Sequence, residues 1–368
     1  MNEPVYLDHN ATTPIRPEAR DAAIRVLALL GNPSSVHRFG RDVRRHIEDA
    51  RESVAALLNA EPADVVFTSG GTEANTLAIR GSGRQRVLVS AVEHVSVLDA
   101  GPGLERIPVD GNGVVECRAL EAMLSRSADP ALVSIMYANN ETGVIQPVTE
   151  AAAIARHYGA LVHCDAVQGT GKAPVDSAAL GVDLLTVSAH KLGGPQGVGA
   201  LIVRNEVPIA AVIRGGGQER GRRGGTENAS GIAGFGAAAR AAADYASEAA
   251  RLAALRVDLE RRARAAVPET RIFGDGAARL ANTTCLTLPG VSSETQVMAL
   301  DLAGVAVSAG AACSSGKVAA SHVLAAMGAQ EAAQEAIRVS LGWTSTSGDI
   351  ERFITAWSAL RERVAASA

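Results

Sequence analysis

The stretch VDLLTVSAHKLGGP, residues 182–195, is apolar on both faces until Ser188. It then delivers a histidine, a lysine and a glycine-rich turn. A short apolar run bounded by turn formers reads as a strand buried on both sides. The pattern recurs in DVVFT (64–68), RVLVS (86–90), ALVSIMY (131–137), ALVHCD (160–165) and GVGALIV (197–203). Helical spacing separates several of these runs, in 38–59, 71–80 and 147–158. Doubly apolar strands alternating with helices predict an α/β fold with a mostly parallel central sheet covered by helices. This large domain is expected over 13–250.

From residue 227 the texture changes. Residues 227–266 are Ala-rich and predict one very long helix. Strands near 283–288, 305–308 and 337–341 follow, with helices near 293–303, 319–328 and 348–364. They predict a smaller α+β domain over 251–368, joined by residues 1–12.

Composition narrows the function classes. Of 368 residues 47% are hydrophobic and only 3% aromatic, so the core is built from Ala, Val, Leu and Ile. The net charge of -4 gives no global attraction to nucleic acid or to acidic membranes. RGGGQERGRRG (214–224) looks like an Arg/Gly RNA-binding segment, but it is one short copy without interleaved aromatics, so no direct nucleic-acid binding is expected. The four cysteines, Cys117, Cys164, Cys285 and Cys313, lack the spacing of a zinc site or a disulfide framework. No signal peptide is evident at the start and no apolar run of about 18 residues occurs. A cytoplasmic protein without a membrane anchor is expected.

Open parallel sheets bind ligands beyond the carboxyl ends of their strands. Strand 64–68 ends in TSGGTE, where glycines and hydroxyls at a helix start suit a phosphate. The competing reading is a plain helix cap by Ser69 or Thr72. Strand 160–165 ends in Asp165, which either caps a helix or holds a cationic partner. Strand 182–188 ends in Ser188-Ala189-His190-Lys191. A strand-end lysine either reaches water or, with its pKa lowered, forms a Schiff base. Phosphate cup, carboxylate and amine together are the pieces that hold pyridoxal phosphate.

The chain resembles cysteine desulfurases of the NifS/IscS type, fold type I pyridoxal phosphate enzymes of the class-V aminotransferase family. The resemblance runs through YLDHNATTP (6–14), GNPSSVHRFG (31–40), FTSGGTEANTLAI (67–79), EHVSVLD (93–99) and NNETGVIQP (139–147). It continues through DAVQGTGK (165–172), SAHKLGGPQGVGAL (188–201), GGGQERGRRGGTEN (215–228), the Cys313 segment and IRVSLGW (337–343).

The resemblance implies Lys191 as the lysine bound to the cofactor and Asp165 as the partner of its pyridine nitrogen. It implies Gln168 as donor to the phenolic oxygen and His94 stacked on the ring, moving protons. Gly71, Thr72, Ser188 and His190 match the phosphate pocket. Thr226 matches a phosphate ligand from the other subunit, which implies a homodimer. Asn140 and Arg338 match the groups that bind the substrate carboxylate. Cys313 matches the nucleophile that takes sulfur from L-cysteine as a persulfide, leaving L-alanine. A protein sulfur acceptor such as an iron–sulfur scaffold, or a thiolation system, is the implied partner. Selenocysteine lyase, or another class-V lyase or aminotransferase, is the alternative.

Two departures stand out. The family commonly has Ser-Ser-Gly-Ser-Ala-Cys at the nucleophile, and here the run is Ser308-Ala309-Gly310-Ala311-Ala312-Cys313. Two hydroxyls become methyls, which leaves the turnover rate less predictable than the reaction. Some relatives also carry a longer C-terminal tail that helps dock a scaffold, which puts that mode of docking in question here. Cys117 and Cys285 are expected to be structural. Cys164 is expected to point away from the Asp165 side, against a covering helix.

Overall fold

The computed structural model describes residues 3–204, 207–310 and 321–367. In chain order, β1 (Val5–Tyr6) precedes α1 (Pro17–Leu27) and α2 (Arg38–Leu57). Next come β2 (Val65–Thr68), α3 (Gly71–Gly81), β3 (Arg86–Ser90), α4 (Val95–Leu98) and β4 (Glu105–Ile107). Then follow α5 (Cys117–Leu124), β5 (Ala131–Ser134), α6 (Val148–His157), β6 (Leu161–Asp165), β7 (Leu184–Ser188) and β8 (Gly199–Val203). The remainder runs α7 (Ala229–Ala241), α8 (Tyr245–Ala266), β9 (Thr283–Thr287), α9 (Ser293–Leu302), β10 (Val305–Ala306) and β11 (Ser308–Ala309). It closes with α10 (His322–Ala326), β12 (Ala336–Ser340) and α11 (Ser347–Ser367).

Seven strands form the central sheet in the order β2-β8-β7-β6-β5-β3-β4. Only β8 runs against the rest, pairing antiparallel with both β2 and β7. β2, β5, β7 and β8 are buried along their whole length, as their doubly apolar sequences demand. The carboxyl ends of β2, β6 and β7 therefore deliver Thr68, Asp165 and Ser188 to one edge.

One large core packs the sheet against α1, α2 and α7 through residues such as Ala19, Ile47, Val54, Phe67 and Phe235. With few aromatics available, close backbone approach replaces bulk. A Cβ at Gly236 of α7 would lie 2.6 Å from the Cα of Ala50 in α2. A second core joins Leu252, Leu259, Leu286, Ile337, Phe353 and Trp357 with Val5 and Leu7. There β1 pairs in parallel with β10, while β11-β12-β9 form an antiparallel sheet.

The single long helix expected over 227–266 is two helices. α7 ends at Ala241 and α8 begins at Tyr245, after Asp244 leaves helical geometry (φ -94°, ψ 55°). The reason is a change of core: Ile232, Phe235 and Ala239 serve the first cluster, while Leu252, Leu259 and Ala263 serve the second. Composition alone carries no sign of that change. The strand expected over 305–308 likewise divides, its first half pairing with β1 and its second with β12.

Candidate active site

A cavity of about 280 Å³ opens beyond the carboxyl ends of β2, β6 and β7. Ten of the predicted site residues line it: Gly71, Thr72, His94, Asn140, Asp165, Gln168, Ser188, His190, Lys191 and Arg338. Thr226 does not; it is exposed on the loop before α7, beside Ser69 and Arg223. Cys313 lies outside the described residues.

At one end the cavity is built for an anion. Gly70 turns β2 into α3 at φ 154°, ψ -179°, a conformation essentially reserved for glycine. Neither Ser69 nor Thr72 caps the helix: Gly70 is the N-cap and makes no side-chain bond. The Ser69 N–H instead donates to Glu73 Oε2 at 2.7 Å, and Arg223 holds that carboxylate at 2.9 Å. First-turn N–H groups have no helical acceptor. The neighbouring Ser188 hydroxyl is buried without a protein partner, which an incoming acceptor would satisfy.

The middle of the cavity holds a carboxylate and an amine, with a second amine, Lys172, behind Gln168. Asn75 Nδ2 donates to Asp165 Oδ2 at 2.8 Å, and the Val167 N–H donates to Oδ1 at 3.0 Å. Lys191 Nζ donates to the carbonyls of Asn10, at 2.5 Å, and Ala11, at 2.8 Å. Burial, followed by the Arg338 charge, pulls the Lys191 amine down to about 8. Lys172 donates to Gln168 Oε1 at 2.8 Å and to Asn10 Oδ1 at 3.1 Å. Desolvation and the Lys191 charge pull it down to about 7. His190 is pushed down to about 4 by burial and by both lysines, so its ring is neutral.

At the other end Arg338, on β12, donates to Asp8 Oδ1 at 2.7 Å and to the Asn140 carbonyl at 3.1 Å. Its Nε is buried and unpartnered among the described residues. His94 precedes α4 and accepts from the Ser96 N–H at 3.1 Å through Nδ1. Its ring faces the open cleft, yet the surrounding protein, and then Lys191, hold its pKa below the ordinary imidazole value against the pull of Asp165.

Comparison with known proteins places this arrangement. The class-V aminotransferase model matches residues 5–353. The chain is 46% identical to a cysteine desulfurase of Cereibacter sphaeroides, covering 96% of this chain and 94% of that one. It is 40% identical to an IscS-like cysteine desulfurase of Mycobacterium tuberculosis, covering 94% and 93%. The X-ray structure of a NifS-like protein from Rickettsia africae superposes with a TM-score of 0.92 at 37% identity, over 98% of this chain and all of that one.

The chain belongs to the class-V aminotransferase family, in its cysteine desulfurase branch. Pyridoxal phosphate is the cofactor of class-V enzymes, and the cavity fits it. An amine of lowered pKa, a doubly held carboxylate, an orphaned hydroxyl and a helix N-terminus answer its aldehyde, ring nitrogen and phosphate.

The Arg/Gly segment of this class-V enzyme is tied down. Glu219 is buried, takes a bidentate bond from Arg51 at 2.9 Å, and accepts the Phe67 N–H at 2.8 Å. Arg220 and Arg222 donate to the Ala63 carbonyl, and Arg223 pairs with Glu73. These three arginines are thus spent on the chain itself.

Four contributors escaped the sequence reading: Asp8, Asn10, Asn75 and Lys172. Asn10 is the hub, since its carbonyl takes Lys191 and Gln168 while its side chain meets Lys172, Asn282 and Thr283. All four stand in segments quoted above for their resemblance, YLDHNATTP, DAVQGTGK and FTSGGTEANTLAI. In the structure Asn75 is an amide on the buried, otherwise apolar face of α3.

Proposed function

We infer that this chain is a pyridoxal phosphate-dependent cysteine desulfurase, taking sulfur from L-cysteine and releasing L-alanine. The observation that carries this is the meeting of Lys191, Asp165 and Arg338 in one cavity, in a chain so similar to cysteine desulfurases over its whole length. Bound there, the cofactor supplies an electron sink for the carbanion left when the substrate's Cα proton departs.

The residues take these roles. Arg338 and Asn140 bind the substrate carboxylate. Asp165 pairs with the ring nitrogen, Gln168 donates to the phenolic oxygen, and His94 lies against the ring. Gly71, Thr72, Ser188 and His190 hold the phosphate, with Thr226 of a second copy. Lys191, as a neutral amine, moves the Cα proton. The Cys313 thiolate attacks the substrate sulfur, forming the S–S bond of a persulfide as the C–S bond breaks, and the three-carbon remainder takes up protons to become alanine. The persulfide then passes to a protein acceptor.

Three observations support these assignments. The described cysteines are poor nucleophiles: burial pushes Cys117 up to about 11 and raises Cys164 and Cys285 well above the usual thiol value. β11, which leads toward Cys313, pairs Ser308 directly with Arg338. Leu27, Leu30, Val36 and Phe39 are large, apolar and more than half exposed within a short span, which favours a homodimer. Among the described residues no helix is long and apolar enough to cross a membrane. Free thiols suit a reducing cytoplasm.

The test is the Cys313→Ser holoenzyme given L-cysteine and a reductant. The variant keeps the yellow cofactor and releases no sulfide. Full sulfide release from it removes Cys313 as nucleophile. A wild type faster on selenocysteine than on cysteine favours the lyase reading instead.

A further inference from the structure

Gln168 carries an ambiguity that the fold resolves at both ends of its amide. The two ends of a carboxamide are nearly isosteric, and only one donates. Gln168 lines the cavity, so the direction of its amide decides whether the cavity meets a donor or an acceptor. The Lys172 ammonium stands 2.8 Å from Oε1. As an ammonium it has three donors and no acceptor, so the amide oxygen faces it, and the accept-only Asn10 carbonyl takes Nε2 at the other end.

We propose that Lys172 is a positioning residue for the desulfurase reaction: it locks the Gln168 amide so that Nε2 is the edge offered to the cofactor's phenolic oxygen. Nε2 places one proton on the Asn10 carbonyl at 3.0 Å, and its second proton remains for the cavity. Lys172 is itself held from the far side by Asn10 Oδ1, which Asn282 Nδ2 also anchors at 3.0 Å. The arrangement is costly for a merely structural lysine. Its neighbours Lys191 and Arg338 are both cationic, and the favourable charge nearby, Glu248, is already bonded to Arg16. Apolar side chains of similar volume commonly do as well or better in such places.

This inference rests on the cavity being the cofactor site, and the experiment separates the two. A donor on the phenolic oxygen draws off negative charge that otherwise favours the protonated chromophore, so its loss raises the chromophore's pKa. Absorbance is followed against pH in wild type, Lys172→Met, Gln168→Ala and the double variant, and cofactor affinity is measured on each apoprotein. Lys172→Met is expected to raise the chromophore pKa and weaken cofactor binding several-fold. In the Gln168→Ala background it should add almost nothing, the sign of a residue acting through another. Lys172→Leu carries the same cycle if the methionine variant does not fold. Additive shifts overturn the proposal and make Lys172 a bare charge. A wild type that binds no pyridoxal phosphate overturns the cofactor reading itself, whereas a normal wild type with additive shifts overturns only the role of Lys172.

Discussion

Asn75 Nδ2 donates a 2.8 Å hydrogen bond to Asp165 Oδ2 across ninety residues of sequence. Asn75 lies on the buried face of α3, just after the phosphate cup, and Asp165 ends β6. One helix thus serves both ends of the proposed cofactor site: its first turn faces the end assigned to the phosphate and its second steers the Asp165 carboxylate. Asn75 also reaches Ser96 Oγ at 2.9 Å, the same hydroxyl that faces His94 Nδ1 at 2.8 Å.

Asn75→Ala should therefore weaken cofactor binding without touching Lys191. Hydrogen bonds to charged groups contribute about 1.5–3 kcal/mol, which corresponds to roughly 10- to 100-fold in affinity. Titration of the apoprotein with pyridoxal phosphate reads this directly. Asn75→Asp, which sets a second carboxylate against Asp165, should bind more weakly still. An Asn75→Ala variant with wild-type affinity would show that the Val167 N–H alone suffices to aim Asp165.

Lys191 gives a pH dependence with a definite sign. Its amine titrates at about 8, against 10.5 for an ordinary lysine. At pH 7 roughly a tenth of it is neutral, against less than about 0.1% for an exposed lysine. Covalent capture of pyridoxal phosphate by the apoprotein should accelerate with pH and reach half its plateau near pH 8. Stability follows the same linkage. The folded pKa is below the unfolded one, so below about pH 8 the ammonium burdens the fold by a constant amount. That burden lifts as pH rises from about 8 to 10.5, where the unfolded chain binds the extra proton. Apo Lys191→Met should accordingly outlast apo wild type in urea at pH 7, with the gap narrowing by pH 10. A capture rate still climbing steeply above pH 9.5 contradicts the lowered value.

The sheet and its strand-end chemistry were legible because both follow from short-range pattern. A strand buried on both faces must be apolar throughout, and the residue that ends it must leave the core, so Asp165 and Lys191 announced themselves. What escaped was long-range. Glu219 looks like one solvated carboxylate in a run of glycine and arginine, and its partner Arg51 lies 168 residues away. The positive φ angles of Glu219 and Arg220, 46° and 58°, show how far that pairing bends the local backbone. Lys172 reads as an ordinary polar residue after a turn, and only the fold brings Asn10 to meet it. The break between α7 and α8 depends on which core each helix serves, and Ala-rich composition suits both equally.

Arg338 and Asp8 supply the last test. Arg338 is almost wholly buried, and two of its nitrogens are taken by Asp8 and by the Asn140 carbonyl. Among the described residues its Nε has no acceptor. A buried donor left unmade costs about 1–3 kcal/mol, more when charged, so a guanidinium kept only for the fold would have found one. A substrate carboxylate meets that demand, and the planar fork suits it better than a point charge does. Arg338→Lys should raise KM for L-cysteine by at least roughly tenfold, equivalent to about 1.4 kcal/mol, while the affinity for pyridoxal phosphate holds. Asp8→Asn, which loosens the guanidinium without removing it, should raise KM in the same direction but less. An Arg338→Lys enzyme that loses cofactor and keeps its KM would move Arg338 from the substrate to the architecture of the cavity.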